Sequence, residues 1–135
     1  MDWVEVSSVQ NNLARLDCRE GAFAAARAGF AASLALTRPA RFIFRIAQSL
    51  DGLAILAVRQ SQFERALRLA GASAALRDTA GYQAPPFEGE ELELALTGAR
   101  QALGDVAAAA AWAAGQAMSL DQAVDEALEP SPLPT

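Results

Sequence analysis

The sequence contains no histidine, no lysine and only one cysteine, Cys18, among its 135 residues. Without histidine, the commonest general base and metal ligand is missing, and so is every standard catalytic triad. Without lysine, Schiff-base chemistry and the phosphate-binding lysine of a P-loop are excluded. A single cysteine excludes an internal disulfide and a cysteine-rich zinc site. These absences predict a protein that is not an enzyme and needs no metal or cofactor.

The composition that remains is that of one acidic helical domain. Hydrophobic residues make up 53% of the chain, charged residues make up 20%, and the formal net charge is −5. This length suits a single domain that closes its own core. The N-terminus is acidic, unlike a signal peptide, and the most apolar stretch, residues 106–114, is much shorter than a membrane span. The sequence therefore predicts a cytoplasmic protein without a membrane partner.

Apolar residues recur with helical spacing almost throughout the chain, and no sustained period-two stretch is present. The pattern predicts seven helices, at residues 3–18, 22–36, 40–59, 62–79, 88–103, 106–118 and 120–129. In the first helix Val4, Val9, Leu13 and Leu16 lie near one side, which we expect to face the core.

Local signals mark several of the expected helix ends. Asp2 and Asp105 are expected N-caps, and Ser119 with Gln122 forms a capping box. We expect the alanine-rich helix at 106–118 to pack closely, so that Ala109→Leu would overpack the core and cost about 1–3 kcal/mol. The organisation expected from these signals is one domain at 1–129, followed by a disordered proline-rich tail at 130–135.

An internal repeat of 40 residues indicates the architecture. At this offset Leu13 matches Leu53, and Phe23 matches Phe63. Further matches pair leucine, serine and alanine positions on both helices of each unit. Because one helix pair cannot bury its apolar face alone, such units must stack. The pattern predicts an all-α fold of stacked antiparallel helix pairs, with about three units and a C-terminal capping helix.

The repeat resembles a tetratricopeptide repeat, an α-solenoid motif. The resemblance lies in Leu13-Ala14, Gly21, Phe23, Ala26 and Phe30, and the chain departs from the motif at Ser33, where alanine is usual.

The second half of the chain is similar to the C-terminal helical-repeat region of bacterial LuxR-type and SARP-type transcriptional regulators and signal-transduction ATPases. The residues that carry this likeness are 50–54, 63–72, 75–77, 81–86, 99–104, 111–115 and 118–124. This sequence has neither the glycine-rich phosphate loop nor the DNA-binding helices of those regulators. The resemblance implies a non-catalytic module for protein interaction or regulation in transcription or signal transduction.

The first helix of each stacked pair is expected to line a concave docking surface. The expected partner-binding residues are Ser8, Asn11, Asn12, Arg15, Arg19, Gln48, Asp51, Ile55 and Arg59. Asparagine and arginine can hydrogen-bond a peptide backbone or carboxylate. A peptide, a partner protein or a second copy of the chain are the partners that such a surface predicts.

Two clusters of charged residues could suggest binding sites, but each has an interpretation that needs no ligand. Arg38, Arg41 and Arg45 alternate with Phe42 and Phe44, a mixture that nucleic-acid binding proteins use. The net charge of −5 argues against direct nucleic-acid binding, and docking of a domain or subunit is the preferred interpretation. One of the two phenylalanines is expected to be exposed if the chain is part of a larger protein. The glutamates at positions 88, 90, 91 and 93 are interpreted as a solvated helix start favoured by the helix dipole.

The alternative function is a small-molecule sensor that holds an effector between the stacked units. A cavity lined by Phe30, Phe44, Ile46 and Trp112 would favour this alternative, and a fully packed core would argue against it.

Overall fold

The computed structural model of the protein describes residues 2–130. Within that range the backbone forms seven α-helices and no strand, which confirms the all-α class. The helices are α1 (Trp3–Arg19), α2 (Phe23–Thr37), α3 (Ile43–Arg59), α4 (Phe63–Ala80), α5 (Pro86–Leu103), α6 (Asp105–Gln116) and α7 (Leu120–Leu128). Beyond Pro130, the predicted disordered tail lies outside the described residues.

Side-chain caps mark the start of two helices. The Asp2 carboxylate accepts a hydrogen bond from the Glu5 amide at 2.9 Å, and Ser119 and Gln122 form both bonds of the predicted capping box. The prediction for Asp105 is wrong. Asp105 is the first residue of α6, and Gly104, which has no side chain, occupies the cap.

Two of the three predicted pairs of consecutive helices pack closely against each other, whereas the third pair makes less contact. The Ser33 hydroxyl of α2 lies 3.5 Å from the Ser7 carbonyl of α1, and Gly29 lies against Ala14, so α1 and α2 run antiparallel. The next two helices, α3 and α4, also pack closely. The last expected pair is different, because α6 packs mainly on α4 while α5 lies across α3 and α4.

The core is built around α3 and α4 and contains large aliphatic side chains. Ile46, Leu50, Leu67 and Leu69 are fully buried there, and Phe30 of α2 reaches into the same cluster. Burial of such side chains is the main favourable term in folding.

Helix α1 does not bury the side that the sequence pattern predicts. Val9, Leu13 and Leu16 are 47%, 55% and 49% exposed, and Val4 is also exposed. The helix instead buries the side that carries Ser7, Asn11, Ala14 and Cys18. The expectation of an apolar core face on α1 is therefore wrong, because small and polar residues allow α1 to approach α2 and α3 closely.

The alanine-rich helix α6 packs closely on α4, but not through the expected residue. Ala108, Ala111 and Gly115 are buried against α4, whereas Ala109 is exposed. The prediction that Ala109→Leu overpacks the core is wrong, because a leucine at this exposed position would extend into solvent.

Ion pairs fasten the short helix α7 to the end of α2. Arg41 donates two hydrogen bonds to the Asp121 carboxylate at 2.7 and 2.8 Å, and Arg38 donates one at 3.1 Å. These bonds lower the pKa of Asp121 from its ordinary 3.8 to about 2.

The stability that this contact contributes is expected to depend on pH. Because the pKa of Asp121 is lower in the folded state, its contribution is complete above 3.8 and is lost as the pH falls through about 2. The difference in unfolding free energy between the native chain and Asp121→Asn should therefore shrink between about pH 6 and about pH 3. Urea unfolding at both pH values measures this difference. Asp78→Asn, at an exposed position without an ion pair among the described residues, is the control, and a pH-independent effect of Asp121→Asn would contradict the assignment.

Candidate binding site

Four of the residues expected at a docking surface line one cavity. Arg15, Arg19, Ile55 and Arg59 surround a space of about 400 Å³ between α1, α3 and α5. The other expected residues lie elsewhere on the same helices. Asn12 is exposed, Ser8 is half-buried, and Asn11, Gln48 and Asp51 are buried.

The floor and one wall of this cavity are apolar. Phe30, Ile55 and Val58 form the floor together with Gly52, and Leu94 and Ala95 of α5 form the wall. A side chain at position 52 would overlap the Phe30 ring, so the glycine makes the space in which the ring lies. The cavity thus has a hydrophobic interior and a charged rim, which is the usual composition of a ligand site.

A row of polar side chains crosses the rim from α1 to α5 and on to α3. Arg15 donates to Glu88 at 2.5 Å and to Glu91 at 3.3 Å, and Arg19 donates to Glu91 at 2.8 Å. On the other side, Gln48 donates to Glu88 at 2.6 Å and accepts a hydrogen bond from Arg45. These contacts hold α5 beside α1, and they occupy the groups of Arg15 and Gln48 that were expected to meet a partner.

The acidic cluster was therefore misinterpreted in part. Glu88 and Glu91 are the counter-ions of α1, with side chains 22% and 26% exposed. Glu90 and Glu93 are exposed as expected, and Glu93 pairs with Arg100 on its own helix. The spacing of three between Glu88 and Glu91, matched by the spacing of four between two arginines on α1, is the sequence signal that could have identified the pairing.

Arg59 differs from the other two arginines at the rim. Its guanidinium donates to the Cys18 carbonyl at 3.2 Å and lies 5.5 Å from the centre of the Phe23 ring. Among the described residues it forms no ion pair, so its positive charge is available at the cavity entrance. Cys18 is buried beneath it, and burial raises the pKa of its thiol, which makes the thiol less reactive.

Two expected surface residues need correction because they act inside the fold. Asn11 donates to the Ser49 hydroxyl at 3.0 Å, and Ser49 lies 3.1 Å from the Ser33 hydroxyl, so this chain of bonds joins α1, α2 and α3.

Asp51 forms an ion pair with Arg77 of α4 at 2.5 Å, and accepts a hydrogen bond from Ser73. Burial raises the pKa of the Asp51 carboxyl, while Arg77 and Ser73 act in the opposite direction. Neither Asn11 nor Asp51 is accessible to a partner.

The arginines of the cluster at the start of α3 also find their partners within the fold. Arg38 and Arg41 bind Asp121, and the buried Arg45 lies over the rings of Phe42 and Phe44, 5.8 and 5.4 Å from their centres. Phe44 is 37% exposed, which confirms that one of the two phenylalanines faces outward. The three arginines do not form a free cationic patch.

The cavity imagined for a small-molecule sensor is not formed by the four expected residues. Phe30 lines the cavity between α1, α3 and α5, but Ile46 is fully buried in the core. Phe44 stacks near Tyr82, and Trp112 lies beside Arg100 on the other side of the fold. The prediction of the lining residues is therefore wrong for Phe44, Ile46 and Trp112, although a cavity lined by Phe30 exists.

Comparison with known proteins adds no assignment for this site. No family model, curated protein or solved structure matches the chain. Between residues 2 and 130, no helix combines the length and hydropathy that crossing a bilayer requires. In the same range no three histidine, cysteine, aspartate or glutamate side chains are grouped so that they could hold a metal ion.

Proposed function

We propose that this chain is a non-catalytic protein-interaction module that binds the end of a partner polypeptide in the cavity between α1, α3 and α5. Its helix pairs would then be a stack of the tetratricopeptide kind, as in the C-terminal regions of bacterial LuxR-type and SARP-type regulators and signalling ATPases. The 40-residue repeat and the antiparallel packing of α1 on α2 support that relationship. In this role the protein acts as a cytoplasmic regulatory module in transcription or signal transduction.

The observation that carries the proposal is an apolar cavity with an arginine at its entrance that has no counter-ion among residues 2–130. Ile55, Val58 and Leu94 can surround one aliphatic or aromatic side chain. Arg59 can then donate hydrogen bonds to a carboxylate beside that side chain. A C-terminal leucine or phenylalanine presents both groups together, so a free C-terminus is the preferred ligand chemistry.

Binding of a short peptide tests this proposal directly. The probe is acetyl-Gly-Gly-Leu with a free carboxylate, compared with its C-terminal amide, and the methyl resonances of Ile55 and Val58 report on occupancy. A hydrogen bond to a charged group contributes about 1.5–3 kcal/mol, so we expect the amide to bind about 10–100-fold more weakly. Arg59→Gln should abolish that difference.

A matched pair of variants links the signal to the cavity. Ala95→Phe places a ring inside the cavity and should prevent binding, whereas Ala102→Phe adds the same ring at an exposed position of the same helix. Equal binding by both variants, or no methyl shift with the free peptide, would refute the proposed site.

A small-molecule effector remains the second candidate, because the cavity volume of about 400 Å³ is also typical of small-ligand sites. Sodium decanoate, which has an apolar chain and a carboxylate but no peptide group, is the discriminating probe. If decanoate shifts the Ile55 and Val58 methyl resonances and the peptide does not, the sensor function is favoured.

A further inference from the structure

The outer side of α1 carries an apolar stripe that no other described helix covers. Val9, Leu13 and Leu16 are about half exposed, and the half-buried Val6 continues the stripe toward the N-terminus. The spacing of these four residues alternates between three and four, which is the pattern of a seam between two helices in a coiled coil. Such exposed stripes in folded proteins mark interaction surfaces.

The orientation of α1 makes this exposure unusual. The helix turns Ser7 and Asn11 inward, where both are fully buried, and leaves Leu13 and Leu16 outside. An isolated monomer would gain stability from the opposite arrangement, because burying a leucine is worth more than burying a polar side chain.

The neighbouring helix extends the stripe into a flat face. Every exposed residue of α2 is an alanine, at positions 24, 25, 28 and 35. Two adjacent helices of this length present a face roughly 25 Å long and about 20 Å wide. Covering it on two molecules removes on the order of 1,000 Å² of surface, near the lower limit for a specific interface.

We propose that a second copy of this chain covers the face, with the two α1 helices packed antiparallel about a two-fold axis. In this arrangement Val9 of one copy lies opposite Leu13 of the other, and Val6 opposite Leu16. The charges beside the stripe are complementary in the same geometry, because Glu5 near the start of α1 faces Arg19 near its end. A parallel pair would not bring Glu5 of one copy near Arg19 of the other, because the two residues lie at opposite ends of α1.

The apolar stripe of this interface lies on the outer side of α1, outside the cavity proposed for a partner polypeptide, and only Arg19 borders both. It therefore extends the proposed function without depending on it.

Light scattering coupled to size-exclusion chromatography tests the association. The mass should rise from 14.1 kDa toward twice that value as the concentration increases from about 5 μM to about 1 mM. Leu13→Glu with Leu16→Glu should remain at 14.1 kDa while keeping the native helical circular dichroism. Val106→Glu is the matched control, since Val106 is 87% exposed on α6, outside this face. A native chain that stays monomeric throughout would overturn the proposal and assign the face to a different protein.

A charge exchange tests the antiparallel geometry separately. Glu5→Arg and Arg19→Glu should each weaken self-association by a few-fold. In either variant, positions 5 and 19 carry charges of the same sign, and the two-fold axis creates two such repulsive contacts in each dimer. Mixing the two variants should restore association as heterodimers, which native mass spectrometry resolves by mass. The double variant should associate like the native chain, which also controls for the loss of the Arg19 contact with Glu91. Absence of heterodimer enrichment in the mixture would contradict the antiparallel arrangement.

Discussion

Replacing Asp51 with asparagine is expected to lower the free energy of unfolding by about 3–5 kcal/mol. The Asp51 and Arg77 side chains are only 12% and 10% exposed, and their charged groups lie 2.5 Å apart between α3 and α4. Asparagine keeps the shape of the side chain but leaves the Arg77 guanidinium buried without its counter-charge. Because a buried uncompensated charge is far more costly than the pair itself, the loss should be large. Chemical unfolding monitored by circular dichroism gives the value.

A double substitution and an exposed pair provide the controls for this prediction. Asp51→Leu combined with Arg77→Met replaces both charges with apolar groups and should cost much less than Asp51→Asn. Glu93→Gln removes an exposed ion pair with Arg100 on α5 and should change stability by less than about 1 kcal/mol. If Asp51→Asn costs no more than Glu93→Gln, the buried pair is not important for stability.

Gly115→Ala is expected to destabilise the fold by about 1–3 kcal/mol, although alanine is the better helix former. Gly115 of α6 lies directly on the backbone of α4, where a methyl group would overlap the Arg68 carbonyl and crowd the Ala72 amide. A helix backbone cannot rotate away from such a contact as a side chain can, so α6 would have to move off α4. Thermal or chemical unfolding measures the loss.

Gly98→Ala is the matched control and should have the opposite sign. Gly98 lies in the middle of α5, is exposed, and has open space where a methyl group would be added. Replacing it should raise the unfolding free energy by about 0.5–1 kcal/mol through helix propensity. Stabilisation by both substitutions would show that the contact between α6 and α4 is looser than the structure indicates.

The predicted helices were correct because their signals are local. The Asp2 cap and the capping box at Ser119 each involve residues within a few positions of one another. The prediction that Asp105 caps α6 was wrong, although it also rested on neighbouring residues. An acidic residue is suitable both as the cap and in the first turn of a helix, and Gly104 took the cap position.

The candidate site could be predicted only in part. Arg15, Arg19, Ile55 and Arg59 were placed correctly beside one another by the expectation that α1 and α3 line a common surface. The contribution of α5 was missed, because the sequence alone did not show that its glutamates face the arginines of α1.

The sequence by itself determined that this is an all-α chain without histidine or lysine chemistry, with identifiable caps at Asp2 and Ser119. Only the tertiary structure decided which side of α1 is buried, and that Glu88 binds Arg15 across 73 positions of the chain. It also decided that Gly115, and not Ala109, meets the backbone of α4. Helix formation depends on neighbours three or four residues away, whereas the buried side of each helix depends on the shape of a distant partner.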